Sequence, residues 1–245
     1  MSISNAQQKN LDDLVARLRQ ALGDDLASVV LYGSAASQDF HADFSDLNIL
    51  CLTRKLDIAE LNAVQPILSW WAQLKQPQPL FFSLEELERS TDVFTIELLD
   101  MKSRNRMLFG ADHLSALEVP MDLHGVQLER ELRTNLLRLR QHYLSANTKD
   151  AQLALLVDAF SSFATLFRHA LIALGKELPH SRRQVIDTLA AQLEFDPAPF
   201  HAVLDVREGK RKKSDVDVPA TFEGFLIGVK RVTGEVDRRL PGPRA

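Results

Sequence analysis

Between Ala6 and Leu22 apolar residues return at every third or fourth position, at Leu11, Leu14, Val15, Leu18 and Leu22, and Gly23 closes the series. This spacing lays one apolar stripe along a helix and predicts that the helix stops at the glycine. Two short β-branched and apolar runs follow, Ala27–Tyr32 and Leu47–Thr53, and both read as buried strands. Helical spacing returns over Asp57–Lys75 through Ile58, Leu61, Val64, Leu68 and Trp71 until the Gln-Pro-Gln-Pro segment breaks it. Leu80–Ser83 is a third strand, and Ser83 with Glu86 makes the capping-box pattern of a short helix. Val93–Ile96 favour a strand whereas Glu97–Met101 favour a helix, and the first half is assigned to a fourth strand. The segment from Lys102 to Gly110 is basic and is left without an element.

Beyond Pro120 the pattern has helical period throughout, over Val126–Leu144, Ala151–Leu174, Arg182–Leu193, Phe200–Arg207 and Thr221–Leu240. The expected class is therefore α+β: a small mixed-sheet domain over residues 1–118, then an all-α bundle over 119–245. Strands should be confined to roughly residues 28–100.

Composition narrows the function classes. Hydrophobic residues make up 45% and charged residues 25% of 245, the balance of a globular chain with ample core. The net charge of −4 gives no general attraction for nucleic acid or anionic lipid, so any polyanion site must be local. Nucleic acid is not the favoured partner, and no membrane partner is expected. The single cysteine, Cys51, sits in an apolar run and reads as a buried, inert thiol. Without a signal-like N-terminus, the expected compartment is the cytoplasm.

The stretch that carries chemistry runs from Val29 to Leu52. A strand ends in Gly33-Ser34, a polar loop follows, and Ser45-Asp46-Leu47-Asn48 opens the next strand. Glycine permits close backbone approach to a phosphate, serine adds a hydroxyl, and a helix start after them would offer free amides. Positions 46 and 48 lie two apart on a strand, so their side chains share a face beside that turn. An ordinary turn would use the same Gly, Ser and Asp residues for backbone reasons alone.

The order of apolar strand, Gly-Ser, about a dozen residues and then Asp-x-Asp or Asp-x-Glu resembles the signature of the DNA polymerase β-like nucleotidyltransferases. The match covers residues 28–53, and the wider layout is similar to the antibiotic nucleotidyltransferases that modify aminoglycosides. The resemblance implies a nucleoside triphosphate on Gly33 and Ser34, Mg2+ on Asp46 and the residue two after it, and transfer of a nucleoside monophosphate to a hydroxyl acceptor. It also implies a helical domain beside the catalytic one.

The chain departs from that signature in two places. Asn48 stands where a second acid is expected, and an amide ligand carries no charge to offset magnesium and triphosphate. The third carboxylate of the family lies on the next strand, but here Gln78 or Leu80 holds its place. The nearest substitute is Glu97, a carboxylate within an apolar run, with pairing to Arg104 or Arg106 as its structural alternative. The alternative function is a degenerate relative that binds nucleotide, or a protein or RNA partner, without turnover. Asp39, His41 and Asp43 read as solvated loop residues, Trp70-Trp71 as core, and Lys210-Arg211-Lys212-Lys213 as a solvated charge run, with contact to phosphate or RNA as its functional alternative. Glu129, Glu131, Arg133 and Arg138 are explained by pairing along a helix surface.

Overall fold

A computed structural model describes residues 3–36 and 46–240, and by internal packing it divides into two compact units, Met1–Met121 and Asp122–Ala245. The first unit opens with helix α1 (Asn5–Leu22), which starts in a capping box between Ser4 and Gln7. Strands β1 (Leu26–Tyr32) and β2 (Asn48–Thr53) follow, then α2 (Ile58–Gln73), β3 (Leu80–Ser83) and α3 (Leu84–Arg89). The unit closes with α4 (Thr95–Ser103) and β4 (Asn105–Gly110). The sheet order is β3-β2-β1-β4, with β1 antiparallel to both β2 and β4, and β2 parallel to β3.

Both faces of this sheet are covered, which is why β1 and β2 read as continuous apolar runs. Val29, Leu31, Ile49 and Cys51 face Leu11, Leu14 and Leu18 of α1 and Val64, Ile67 and Trp71 of α2. On the other face Val30, Leu50 and Leu52 meet Leu87 of α3, Leu98 and Met101 of α4, and Leu114 and Leu117 beyond β4. Cys51 is fully buried, and burial pushes its thiol pKa far up, so it stays an inert SH group. Trp71 donates its indole N–H to the Pro77 carbonyl at 2.9 Å, which ties the end of α2 to the approach of β3.

The expected fourth strand at Val93–Ile96 is overturned. Val93 and Phe94 lie exposed in a turn, and Thr95 begins a helix whose hydroxyl bonds back to the Thr91 and Asp92 carbonyls. The helix formers Glu97 to Lys102 outweigh the β-branched pair before them, because Leu98 and Met101 then reach the sheet three residues apart. The fourth strand is instead Asn105–Gly110, beyond the expected limit of residue 100, on the edge of the sheet. An edge strand tolerates the exposed Arg106 that disguised it.

The second unit is helical, as expected: α5 (His124–Ser145), α6 (Lys149–Ala173), α7 (Arg182–Leu193), α8 (Ala198–Arg207) and α9 (Val218–Arg239). Leu128, Leu132, Leu136 and Leu139 form the buried stripe of α5. Of all helices among the described residues, α6 alone is long and apolar enough to cross a membrane, yet its eleven buried side chains lie within this unit. At its centre the rings of Phe163, Phe167, Phe195, Phe200 and Phe225 touch in a chain of aromatic pairs, Phe200 and Phe225 at 4.4 Å between centroids. Each buried phenylalanine contributes about 1.5–3 kcal/mol relative to exposure, so this cluster is a substantial part of the unit's core.

Candidate functional site

The candidate site forms where β1 ends and β2 begins. Gly33 takes φ +79°, a left-handed conformation that turns the chain out of the sheet into the 3-10 turn Gly33–Ala36. The helix start expected after Ser34 is, among the described residues, this single turn. The Gly33 amide donates to the Arg104 carbonyl at 2.9 Å, so it stabilises the turn and is not turned toward a ligand. A phosphate at this turn would depend on the Ser34 hydroxyl and on the amides after it.

Asn48 pairs with Tyr32 across the antiparallel ladder, and its carboxamide nitrogen lies 3.4 Å from where a Cβ on Gly33 would sit. The structure thus brings Gly33 and Asn48 into contact, with Ser34 next in the turn. Asp46, two residues before Asn48, is exposed at the mouth of the strand. The amide between them, on Leu47, donates to the Gln76 side chain at 3.0 Å, which fixes the start of β2. Asp39, His41 and Asp43 lie outside the described residues.

The face that carries Asn48 can be followed across the sheet. Asn105 of β4 pairs with Tyr32, and Tyr32 with Asn48, while the β2–β3 register, continued back from Leu50 and Leu80, sets Gln78 beside Asn48. The whole row is polar and neutral. Continued along β3, this face bears Leu80 and Phe82, both apolar. Asn105 donates its side-chain amide to the Met101 and Lys102 carbonyls and caps the end of α4. Tyr32 is partly buried, and desolvation raises its hydroxyl pKa, so it remains a neutral phenol.

Glu97 lies on the exposed side of α4, the helix whose Leu98 and Met101 cover the Asn48 face. Its helical setting agrees with the helix preference of Glu97–Met101. Arg104 pairs with Asp100, at 3.1 Å, and the two side chains are 13% and 17% exposed. Among the described residues, no group of three His, Cys, Asp or Glu side chains could by itself hold a metal ion. A magnesium ion often keeps several waters and takes only one or two carboxylates plus substrate phosphates, so Asp46 with Asn48 fits one such ion beside a triphosphate. Among the described residues, the row on this face, from Asn105 to Gln78, offers only neutral donors and holds no acid for a second ion.

Sequence reasoning missed Arg104 and Asn105 as neighbours of the turn, because they reach it only where the end of α4 and the start of β4 lie against β1. The basic spacing Lys102, Arg104, Arg106 was the available signal. Trp71 belongs to the core, and Trp70 lies under the Arg17 guanidinium at 4.4 Å, so neither is a platform for a base. A cavity of about 330 Å³ lined by Leu84, Glu88 and Leu117 opens beyond the far end of β3 and is separate from this site.

No family model matches the sequence, and no curated protein matches it. Among solved structures, spectinomycin adenyltransferase AAD(9) from Enterococcus faecialis, crystallised with ATP and spectinomycin, has a similar fold. The match has a TM-score of 0.57 at 14% identity and covers 91% of this chain and 99% of that one.

Proposed function

We propose that this chain is a magnesium-dependent nucleotidyltransferase that moves a nucleoside monophosphate from a triphosphate to a hydroxyl acceptor. The observation that carries this reading is the packing of Asn48 against Gly33, with Ser34 next in the turn and Asp46 at the strand's mouth. The fold shared with an adenyltransferase crystallised with ATP and an antibiotic supports it. The triphosphate would lie against the Ser34 turn, with Asp46 and Asn48 holding Mg2+. Such an ion would offset phosphate charge as the acceptor oxygen bonds to the α-phosphorus and pyrophosphate departs. Asp46 supplies the only carboxylate of the Asp-x-Asn pair, so it orients the charge on that ion. Glu97, on the helix that covers the Asn48 face, is assigned to take the acceptor's proton. We assign the protein to the cytoplasm, with no membrane partner.

One observation favours a second reading, binding without turnover. The neutral row Asn105, Tyr32 and Asn48, with Gln78 beyond, offers no carboxylate for a second metal among the described residues. The deciding experiment incubates the protein with α-labelled nucleoside triphosphates, Mg2+ or Mn2+, and separate pools of small hydroxyl compounds, RNA and proteins. Label transferred to an acceptor, and lost in Asp46→Asn, is the expected result. Nucleotide binding without transfer in any pool would favour the second reading.

A further inference from the structure

A run of consecutive positive charges lies at one end of the second unit's bundle. The Tyr143 ring, near the end of α5, lies 4.4 Å from the Phe222 ring, in the second turn of α9. The C-terminal turns of α5 therefore stand beside the start of α9, into which the run Lys210–Lys213 leads. The second unit holds more basic than acidic residues, and the first unit the reverse. Arg138 and Arg140 on α5, and Arg211, Lys212 and Lys213 before α9, are all exposed, and none has an ion pair among the described residues.

The carboxylates closest to the run are already engaged. Arg183 bridges Asp205 and Glu208, Lys210 reaches Glu208 at 2.6 Å, Asp215 accepts from Ser214, and Asp217 caps α9. Burial works against ionisation of Glu208, yet Lys210 and Arg183 outweigh it and hold its pKa below the ordinary value. The amides of Lys210 and Arg211 both donate to the Asp205 carbonyl, so the run leaves α8 from a fixed point. Its remaining cations are exposed and make no ion pair among the described residues. Three residues beyond Arg140 on α5, Tyr143 is 40% exposed while part of its ring rests on Phe222 of α9, the helix into which the run leads.

Fixed cations next to a supported, exposed aromatic ring match a backbone of phosphates with unpaired bases. We propose that this end of the helical unit is a docking surface for a single-stranded polynucleotide, RNA and DNA alike, recognised through phosphates and stacking. The surface is independent of the nucleotide site proposed above. A duplex would present no free base to Tyr143. An anionic bilayer fits less well, because Leu137 and Leu144 are the exposed aliphatic side chains of this part of α5 and two such residues anchor weakly.

The test uses the full chain and labelled oligouridine, oligothymidine and duplex RNA of about 20 units, followed by fluorescence anisotropy. With about five phosphates contacted, affinity for oligouridine should fall about 100-fold from about 50 to about 200 mM salt. The variant R211Q/K212Q/K213Q should lower the logarithmic salt slope by about 2, and Arg211→Ala alone by about 0.7. Tyr143→Leu should weaken binding about tenfold and leave that slope unchanged. The control K9Q/K75Q/R89Q, in the first unit, should bind as wild type. Circular dichroism confirms folding, and the single substitution serves if the triple variant unfolds. No binding of oligouridine at about 50 mM salt, equal losses in the control, or tighter binding of duplex would each overturn the proposal. So would loss of binding to vesicles of phosphatidylcholine and phosphatidylserine in the triple variant, with oligouridine left unbound by wild type.

Discussion

Gly110→Ala tests the corrected fourth strand. Gly110 sits at φ +80° at the end of β4, paired with Ser28, where a Cβ would lie 2.0 Å from the Ala27 carbonyl oxygen and 2.9 Å from Ser28 Cα. Both neighbours are backbone of β1, so no side-chain rotation relieves the overlap. The left-handed conformation alone costs a non-glycine residue about 1–2 kcal/mol. Opening the strand pair by ~1 Å forfeits one or two ladder hydrogen bonds, each a net ~1 kcal/mol. The expected loss is about 2–4 kcal/mol, a large share of a typical total stability. For a unit of this size it lowers the melting temperature by roughly 10–15 °C. Both tryptophans, Trp70 and Trp71, lie in the first unit, so urea unfolding followed by tryptophan fluorescence reports on it alone. A loss below about 1 kcal/mol would mean that Gly110 does not approach Ala27, and the pairing of β4 with β1 would be wrong.

Two further perturbations address the helical unit. Phe200→Ala, at a 1% exposed ring in contact with Phe167, Phe195 and Phe225, should cost about 3–5 kcal/mol in circular-dichroism melts; a cost below ~1 kcal/mol would contradict the aromatic core. His124 and His169 are buried and hydrogen-bonded ring to ring at 3.0 Å, and burial holds the His124 pKa below its ordinary value. Unfolded chains therefore take up the proton first, so stability is whole above about pH 6.5 and falls as the pH drops toward the folded pKa. The melting temperature should decline between about pH 7 and pH 5, and less steeply in His124→Gln. An unchanged slope in that variant would remove His124 as the cause.

The sequence was legible where one period ruled a whole element. Leu11 to Leu22, the apolar runs of β1 and β2, the Ser83–Glu86 capping box and the five long helices all stand where the pattern of side chains sets them. It misled where local preference and tertiary contact disagree. Val93-Phe94-Thr95-Ile96 has strand composition, but Leu98 and Met101 gain their burial only from a helix. Asn105–Gly110 looks like a basic loop because an edge strand shows solvent one side of its ladder. At the site, Gly33, Asp46 and Asn48 could be read from spacing, since strand alternation is local. The Gly33 amide bond to Arg104 and the row through Tyr32 and Asn105 could not, because they depend on which strand pairs with β1.

The central claim is that a nucleoside triphosphate binds at the Ser34 turn through one magnesium ion on Asp46 and Asn48. Isothermal titration calorimetry with ATP and GTP, with and without Mg2+, tests it on wild type, Asp46→Asn, Asn48→Asp and Glu97→Gln. Wild type should bind weakly and only with metal, Asp46→Asn should lose the metal dependence, and Asn48→Asp, by adding a charged ligand on the same strand face, should tighten Mg-nucleotide binding roughly tenfold or more. Tight binding by wild type that Glu97→Gln abolishes would show a site completed by another route, and no heat from either wild type or Asn48→Asp would show that Gly33-Ser34 is only a turn.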